Sequence, residues 1–206
     1  YFNDQEAEYR REAVLAFASV QDSNIVRDIG KILISDADTS VRAAAALALG
    51  QTPCDEAASI LLQAAASEKE NAVLREVIEA YGKVAKVWNL RLTDDQLLTR
   101  PLAWAYYRMA VRGVADHFLN ERTIELLKSP DTETRIAAAH YFARGAKDFS
   151  NFQRQLIQTA LHDSSAFVRM AAAFSLRKIQ SDSSRLAASI LARNDPDYRV
   201  RVNAIR

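Results

Sequence analysis

Val41-Arg42-Ala43-Ala44-Ala45-Ala46-Leu47-Ala48-Leu49-Gly50 is the stretch on which the reading of the fold turns. With Val41 taken as an anchor, small or apolar residues fall at +4 (Ala45), +7 (Ala48) and +8 (Leu49). At about 100° per residue these positions form one stripe along a helix.

The stripe recurs. From Tyr9 it reads Ala13, Ala16 and Phe17; from Val73, it reads Val77, Ala80 and Tyr81. From Thr134 it reads Ala138, Tyr141 and Phe142; from Val168, Ala172, Ser175 and Leu176; from Val200 it reaches Ala204. Successive anchors are 32, 32, 61, 34 and 32 residues apart, so the long step holds one further copy. Thr99, followed by Ala103, Tyr106 and Tyr107, supplies it in irregular register. Second amphipathic segments lie between the anchor helices, at about 24–35, 53–67, 120–129, 151–162 and 182–193. Pro53 behind Thr52 reads as Pro at the first helical position after an N-cap.

The unit is therefore helix–turn–helix. Such a unit cannot bury both of its faces alone, so copies stack. The expected fold is all-α, an α-α superhelix of six to seven helical pairs. It forms one array over residues 1–206, with an irregular repeat at about 83–118 and a last repeat cut short. Composition agrees: five Gly and four Pro leave few tight turns.

Two polar positions repeat as well. An arginine follows the anchor at Arg10, Arg42, Arg100, Arg135, Arg169 and Arg201, while the third copy has Leu74 there and Arg75 next. An acid stands three residues before the anchor at Glu6, Asp38, Glu70, Asp131 and Asp197; Gln96 and Ser165 break the run. Acid and arginine are an i,i+4 pair, and in a stack the arginine of one copy reaches the acid of the next, giving a structural ladder.

Asp38–Gly50, Asp131–Phe142 and Ser165–Leu176 resemble the HEAT-repeat family of bacterial type. The resemblance covers nearly the whole chain and implies a solenoid that holds other molecules. Tyr9–Asp22 and Val41–Gln51 are also similar to arrays in bacterial proteins that carry a cyclophilin-type prolyl isomerase domain. No cyclophilin motif occurs in these 206 residues. The chain opens on Tyr1 and closes at Arg206 inside a helical pattern, from which a piece of a longer chain is expected.

The irregular repeat concentrates Trp88, Trp104, Tyr106 and Tyr107, with the bases Lys83, Lys86, Arg91, Arg100, Arg108 and Arg112 against Asp94, Asp95 and Asp116. Thr93 and Gln96 form a capping-box pattern. Trp, Tyr and Arg are the usual anchors of an interface, so this repeat either grips a partner or refills a disturbed core. In the implied architecture the anchor helices line the concave surface, with positions +2, +6 and +9 directed away from the stripe. These are Arg11, Leu15 and Ala18; Ala43, Leu47 and Gly50; Arg75, Glu79 and Gly82; Pro101, Ala105 and Arg108; Ile136, His140 and Ala143; Met170, Phe174 and Arg177. The candidate partner-binding residues are Arg75, Glu79, Trp104, Arg108, Arg112, Ile136, His140, Met170 and Phe174. Ile136, His140, Met170 and Phe174 either form an exposed apolar patch for a peptide or helix, or are covered by neighbouring repeats.

The expected function is a non-catalytic scaffold that binds a protein or peptide. The alternatives are a repeat region attached to a prolyl isomerase, and a nucleic-acid binder or HEAT-like DNA glycosylase. Trp104, Tyr107, Arg108 and Arg112 imitate the last, but 27 basic against 26 acidic residues oppose it. His117, His140 and His162 stand 23 and 22 residues apart, so no two share a helix face as metal ligands. Cys54, the single cysteine, has no histidine near it in sequence and reads as inert. No cofactor, catalytic residue or membrane span is expected.

The incomplete last repeat predicts thin cover over Val202 and Ile205, and fraying or self-association there. Hydrogen exchange should find low amide protection over residues 198–206; high protection in a verified monomer contradicts it.

Overall fold

The computed structural model describes residues 2–20, 22–90 and 99–205, and among them it contains helices and no strands. The helices are α1 (Ala7–Val20), α2 (Val26–Ser35), α3 (Thr39–Leu49), α4 (Asp55–Ser67), α5 (Asn71–Val84), α6 (Thr99–Val111), α7 (His117–Leu126), α8 (Thr132–Arg144), α9 (Gln153–His162), α10 (Ala166–Ile179), α11 (Asp182–Asn194) and α12 (Tyr198–Ile205). Short 3-10 turns at Ser23–Ile25 and Ser150–Phe152 lead into α2 and α9. The chain divides into two compact units, Tyr1–Ala105 and Tyr106–Arg206. In the first, α1 packs on α3 and α3 on α5, with α2 and α4 as the second helices; in the second, α8 packs on α10 and α10 on α12, with α9 and α11 in that role.

Local chemistry sets the helix starts. Asp38 accepts the Ser40 and Val41 N–H groups, and Asp131 accepts that of Thr134. Cys54 is the N-cap of α4, its sulfur accepting the Ala57 N–H at 3.4 Å. Pro53 therefore lies before the helix, not at its first position. Ser181 and Ser184 form a capping box at the start of α11 that the sequence reading missed. The Thr93–Gln96 capping box falls outside the described residues.

Burial is wider than the stripe. Besides +4, +7 and +8, positions +3 and +5 are buried at Ala44 and Ala46, Ala137 and Ala139, Ala171 and Ala173. An anchor helix inside a stack touches its second helix and two other anchor helices, so most of its circumference is covered and alanine allows the close approach. Position +9, expected to face outward, is buried for the same reason at Gly50, Gly82 and Ala143. A Cβ on Gly50 would lie 2.8 Å from the Cβ of Ala80, and one on Gly82 would lie 2.5 Å from the Cα of Ala105. Pro101 and Ala105 are buried too.

Other departures are local. Tyr9 is 61% exposed and Ala16 is exposed, although the anchors Val41, Val73, Thr134, Val168 and Val200 are fully buried. No described helix covers that side of α1. In α6, Ala103 and Tyr106 are buried as expected, but Tyr107 is half-buried and Ala105, Met109 and Ala110 join the core. Trp88 meets Tyr81 edge-on at 5.6 Å, and the Tyr81 hydroxyl donates to the Val87 carbonyl, so Trp88 is a packing residue.

The repeated arginines form the expected ladder with different partners. Arg10 pairs with Asp36, Arg42 with Glu68, Arg135 with Asp163 and Arg169 with Asp195, at 2.7–2.8 Å from Nε. Each acid stands five residues before the next anchor, not three, as the C-cap of α2, α4, α9 or α11. The acids at −3 do other work: Asp38 and Asp131 cap helices, and Asp197 pairs with Arg199. The Nη1 of each arginine also donates to two carbonyls of its own turn, Asp36 and Ala37 for Arg42, Asp163 and Ser164 for Arg169.

Pairing shifts the carboxyl groups of Asp36, Glu68 and Asp195. The Arg10 hydrogen bond holds Asp36 below its ordinary value. At Glu68 and Asp195 burial pushes upward, but the guanidinium and backbone N–H donors outweigh it, and both are lowered. A lowered folded value means stability that is complete above the ordinary carboxylate range and lost as pH falls through the lowered value. Asp195→Ala strands a guanidinium that is only 11% exposed, so it should cost on the order of 3 kcal/mol in urea unfolding at neutral pH. The gap from the parent should shrink as the pH drops below that range; a pH-independent gap contradicts the pairing.

Candidate interaction surface

Positions +2, +6 and +10 of an anchor helix are one, two and three turns along a single face. In α8 they are Ile136, His140 and Arg144; in α10 they are Met170, Phe174 and Lys178. Val202 continues the first row on α12 and is 41% exposed. Because α8 packs on α10 and α10 on α12, each row runs across neighbouring helices: apolar at +2, ring-bearing at +6, basic at +10.

Ile136, His140, Met170 and Phe174 are each half-buried, so they are neither fully covered by neighbours nor free of them. The Arg177 guanidinium lies 5.0 Å from the Phe174 ring centroid, a cation–π arrangement that leaves Arg177 itself exposed. The His140 ring lies 6.0 Å from that of Tyr107 on α6, which brings α6 to this face. Burial, then the charge of Arg144, holds the His140 imidazole below its ordinary value, so it is neutral at pH 7. Burial and Arg144 likewise lower Lys178, whose Nζ donates to the Phe142 carbonyl at 3.4 Å. Arg144 and Lys178 were missing from the sequence-level candidates; extending the +2, +6 series by one turn finds them.

The other candidates are placed differently. Arg108 is half-buried and Arg112 exposed, in and just after α6. Arg75, Glu79 and Trp104 belong to the first unit, where Arg75 is exposed and the other two half-buried. The corresponding face of that unit is mixed: Leu15 and Ala43 pack against its core, and Arg75 and Glu79 carry opposite charges. Among the described residues no cluster of His, Cys, Asp and Glu is arranged to hold a metal ion, and no helix is long and apolar enough to cross a membrane.

Comparison with known proteins gives the fold. The profile of HEAT repeats matches residues 1–82 and 119–206. No curated protein matches the chain. A solved engineered protein aligns at 20% identity and TM-score 0.64, over 98% of this chain and 64% of its own. A designed armadillo repeat protein aligns at 14% identity and TM-score 0.52, over 99% and 94%. A human deoxyhypusine hydroxylase aligns at 18% identity over 99% and 79%, with a TM-score of 0.45, too low to bear on function.

Charging His140 costs free energy in the folded state, so the unfolded chain takes up that proton first as the pH falls through about 6.5. The protein should lose stability between pH 7.5 and 5.5, and His140→Gln should flatten that slope in chemical unfolding. An unchanged slope contradicts the placement of His140.

Proposed function

We propose that this chain, which belongs to the HEAT-repeat family, is a non-catalytic module that holds an apolar, acidic peptide segment on the face of α8, α10 and α12. The observation that carries this reading is the row order on that face. Ile136, Met170 and Val202 offer apolar contact, His140 and Phe174 offer ring surfaces, and Arg144, Lys178 and Arg177 close the end with positive charge. A segment with aliphatic or aromatic side chains at one end and Asp or Glu at the other matches all three rows at once. Apolar burial supplies affinity, and the basic row fixes direction. Half-buried anchors suit such a partner, because their rotamers are already restricted by packing and less ordering is required on binding.

The neutral His140 contributes a ring without a charge at pH 7, so it does not compete with Arg144 and Lys178 for the acidic end. Among its described residues the first unit presents no matching rows, so the contact is assigned to the second. In this reading residues 1–206 are a single array, in which the second unit binds and the first extends the same repeat.

A fluorescence-anisotropy titration with a labelled peptide of four apolar followed by four acidic residues tests the reading. Phe174→Ala should weaken binding by about tenfold or more, as for a buried aromatic anchor. Lys178→Glu should weaken it further and remove most of its salt dependence. Arg75→Glu, in the other unit, should change nothing. Equal binding of a peptide with the acids replaced by Lys, or indifference to Phe174→Ala, overturns the proposal.

A further inference from the structure

We propose that two copies of this chain pair along the outer face of α11, the two helices running antiparallel. Leu186 and Ile190 of each copy pack on those of the other, and Asp182 of each faces Arg193 of the other.

The second helices α2, α4, α9 and α11 can be compared through the anchor that follows each: Val41, Val73, Val168 or Val200. Fourteen and ten residues before that anchor stand Arg27 and Lys31 in α2, Ser59 and Gln63 in α4, Arg154 and Gln158 in α9, and Leu186 and Ile190 in α11. All eight are exposed. In α2 and α9 they are exposed although the next second helix, α4 or α11, packs alongside. These two positions therefore point out of the layer, and a further repeat beside α11 would leave them at the surface. Polar side chains fill them in the other three helices. In α11 they hold large aliphatic side chains one turn apart, 64% and 41% exposed. The inward side of α11 is already covered, with Ser184, Ala187 and Leu191 buried.

The exposed strip is complementary to itself. Asp182, Leu186, Ser189, Ile190 and Arg193 fall within about 100° of the helix surface, an acid at one end, a base at the other and the apolar pair between. Antiparallel helices place residues equally far from a common midpoint opposite one another. Leu186 and Ile190 are centred on Ala188, and Asp182 and Arg193 are centred half a residue away. The register that lays Leu186 of one copy on Ile190 of the other thus also lays Asp182 on Arg193, to within one residue's rise of about 1.5 Å. Symmetry repeats this at both ends, the isologous contact of a two-fold dimer. Asp182 exchanges partners at little cost, because its 3.2 Å bridge to Arg185 is itself exposed. A parallel copy would set acid on acid and base on base. A lipid surface would cover the apolar pair and leave the two charges unmatched. A reversed second copy satisfies all four groups.

Sedimentation equilibrium of the 206-residue chain at concentrations up to about 1 mM tests this. Two apolar side chains per copy make a small contact, so a weak dimer is expected. Leu186→Ser should weaken it at least about tenfold, because each dimer loses two apolar side chains. Asp182→Arg and Arg193→Asp should each weaken it as well, by setting like charges opposite one another. An equimolar mixture of those two variants should recover the dimer, since each then meets its opposite at both ends. Phe174→Ala and Ile205→Ser, on α10 and α12, should leave it unchanged. Circular dichroism melts matching the parent establish that each variant is folded. A parent that stays monomeric throughout leaves the strip to an unrelated partner and overturns the proposal. So does a Leu186→Ser variant that dimerises as tightly as the parent, or a mixture of the two charge variants that stays monomeric.

Discussion

The guanidinium of the repeated arginine is the group on which each stack depends. It ties together three pieces of chain: the turn entering its own anchor helix, that helix, and the end of the following second helix. Its Nη1 closes two carbonyls that would otherwise be orphaned at a turn, and its other edge takes a carboxylate in bidentate or near-bidentate geometry. The carboxylate in turn accepts a backbone N–H two residues on, at Asp36, Glu68, Asp163 and Asp195. The pairs are largely removed from water, with side-chain exposures from 3 to 15%, so their geometry matters more than their charge. A rung fixes the offset between successive repeats, because a shift of one residue would separate fork from acid.

Around that fixed offset the apolar residues have little freedom. Neighbouring anchor helices approach closely enough that Gly50 and Gly82 leave no room for a Cβ, and runs such as Ala137–Ala139 and Ala171–Ala173 line the contact. Larger side chains sit where a second helix closes the layer: Tyr141, Phe142, Leu156 and Leu176 fill the second unit, Leu33, Leu49, Leu61 and Ile78 the first. Outside α6, where Pro101 and Ala105 are buried, the surfaces at +2, +6 and +10 are only partly covered by the stack and are free to differ between repeats. That is why one unit can present apolar, ring-bearing and basic rows while the other presents a mixed face on the same backbone plan.

Much of the fold was legible because a 32-residue spacing of Val41-like anchors states a repeated unit without any knowledge of contacts. The arginine at +1 was legible for the same reason. Its partner was not: an acid at −3 and an acid at −5 are both present before several anchors, and only the turn conformation decides which reaches the guanidinium. Residues +3, +5 and +9 were misplaced or unassigned because a single-helix stripe assumes one buried side, whereas a stacked helix has three. The proposed interaction face was half legible. Ile136, His140, Met170 and Phe174 follow from the 3.6-residue period, but Arg144 and Lys178 gain meaning only from lying beside the same rings.

The sequence by itself determined the helical repeat, its length and the arginine of every rung, because these depend on spacing along one chain. The tertiary structure alone decided which acid each arginine takes, how much of each anchor helix is covered, and which side chains share a face. Those outcomes depend on distances between residues some 26 to 36 positions apart, which no local pattern encodes.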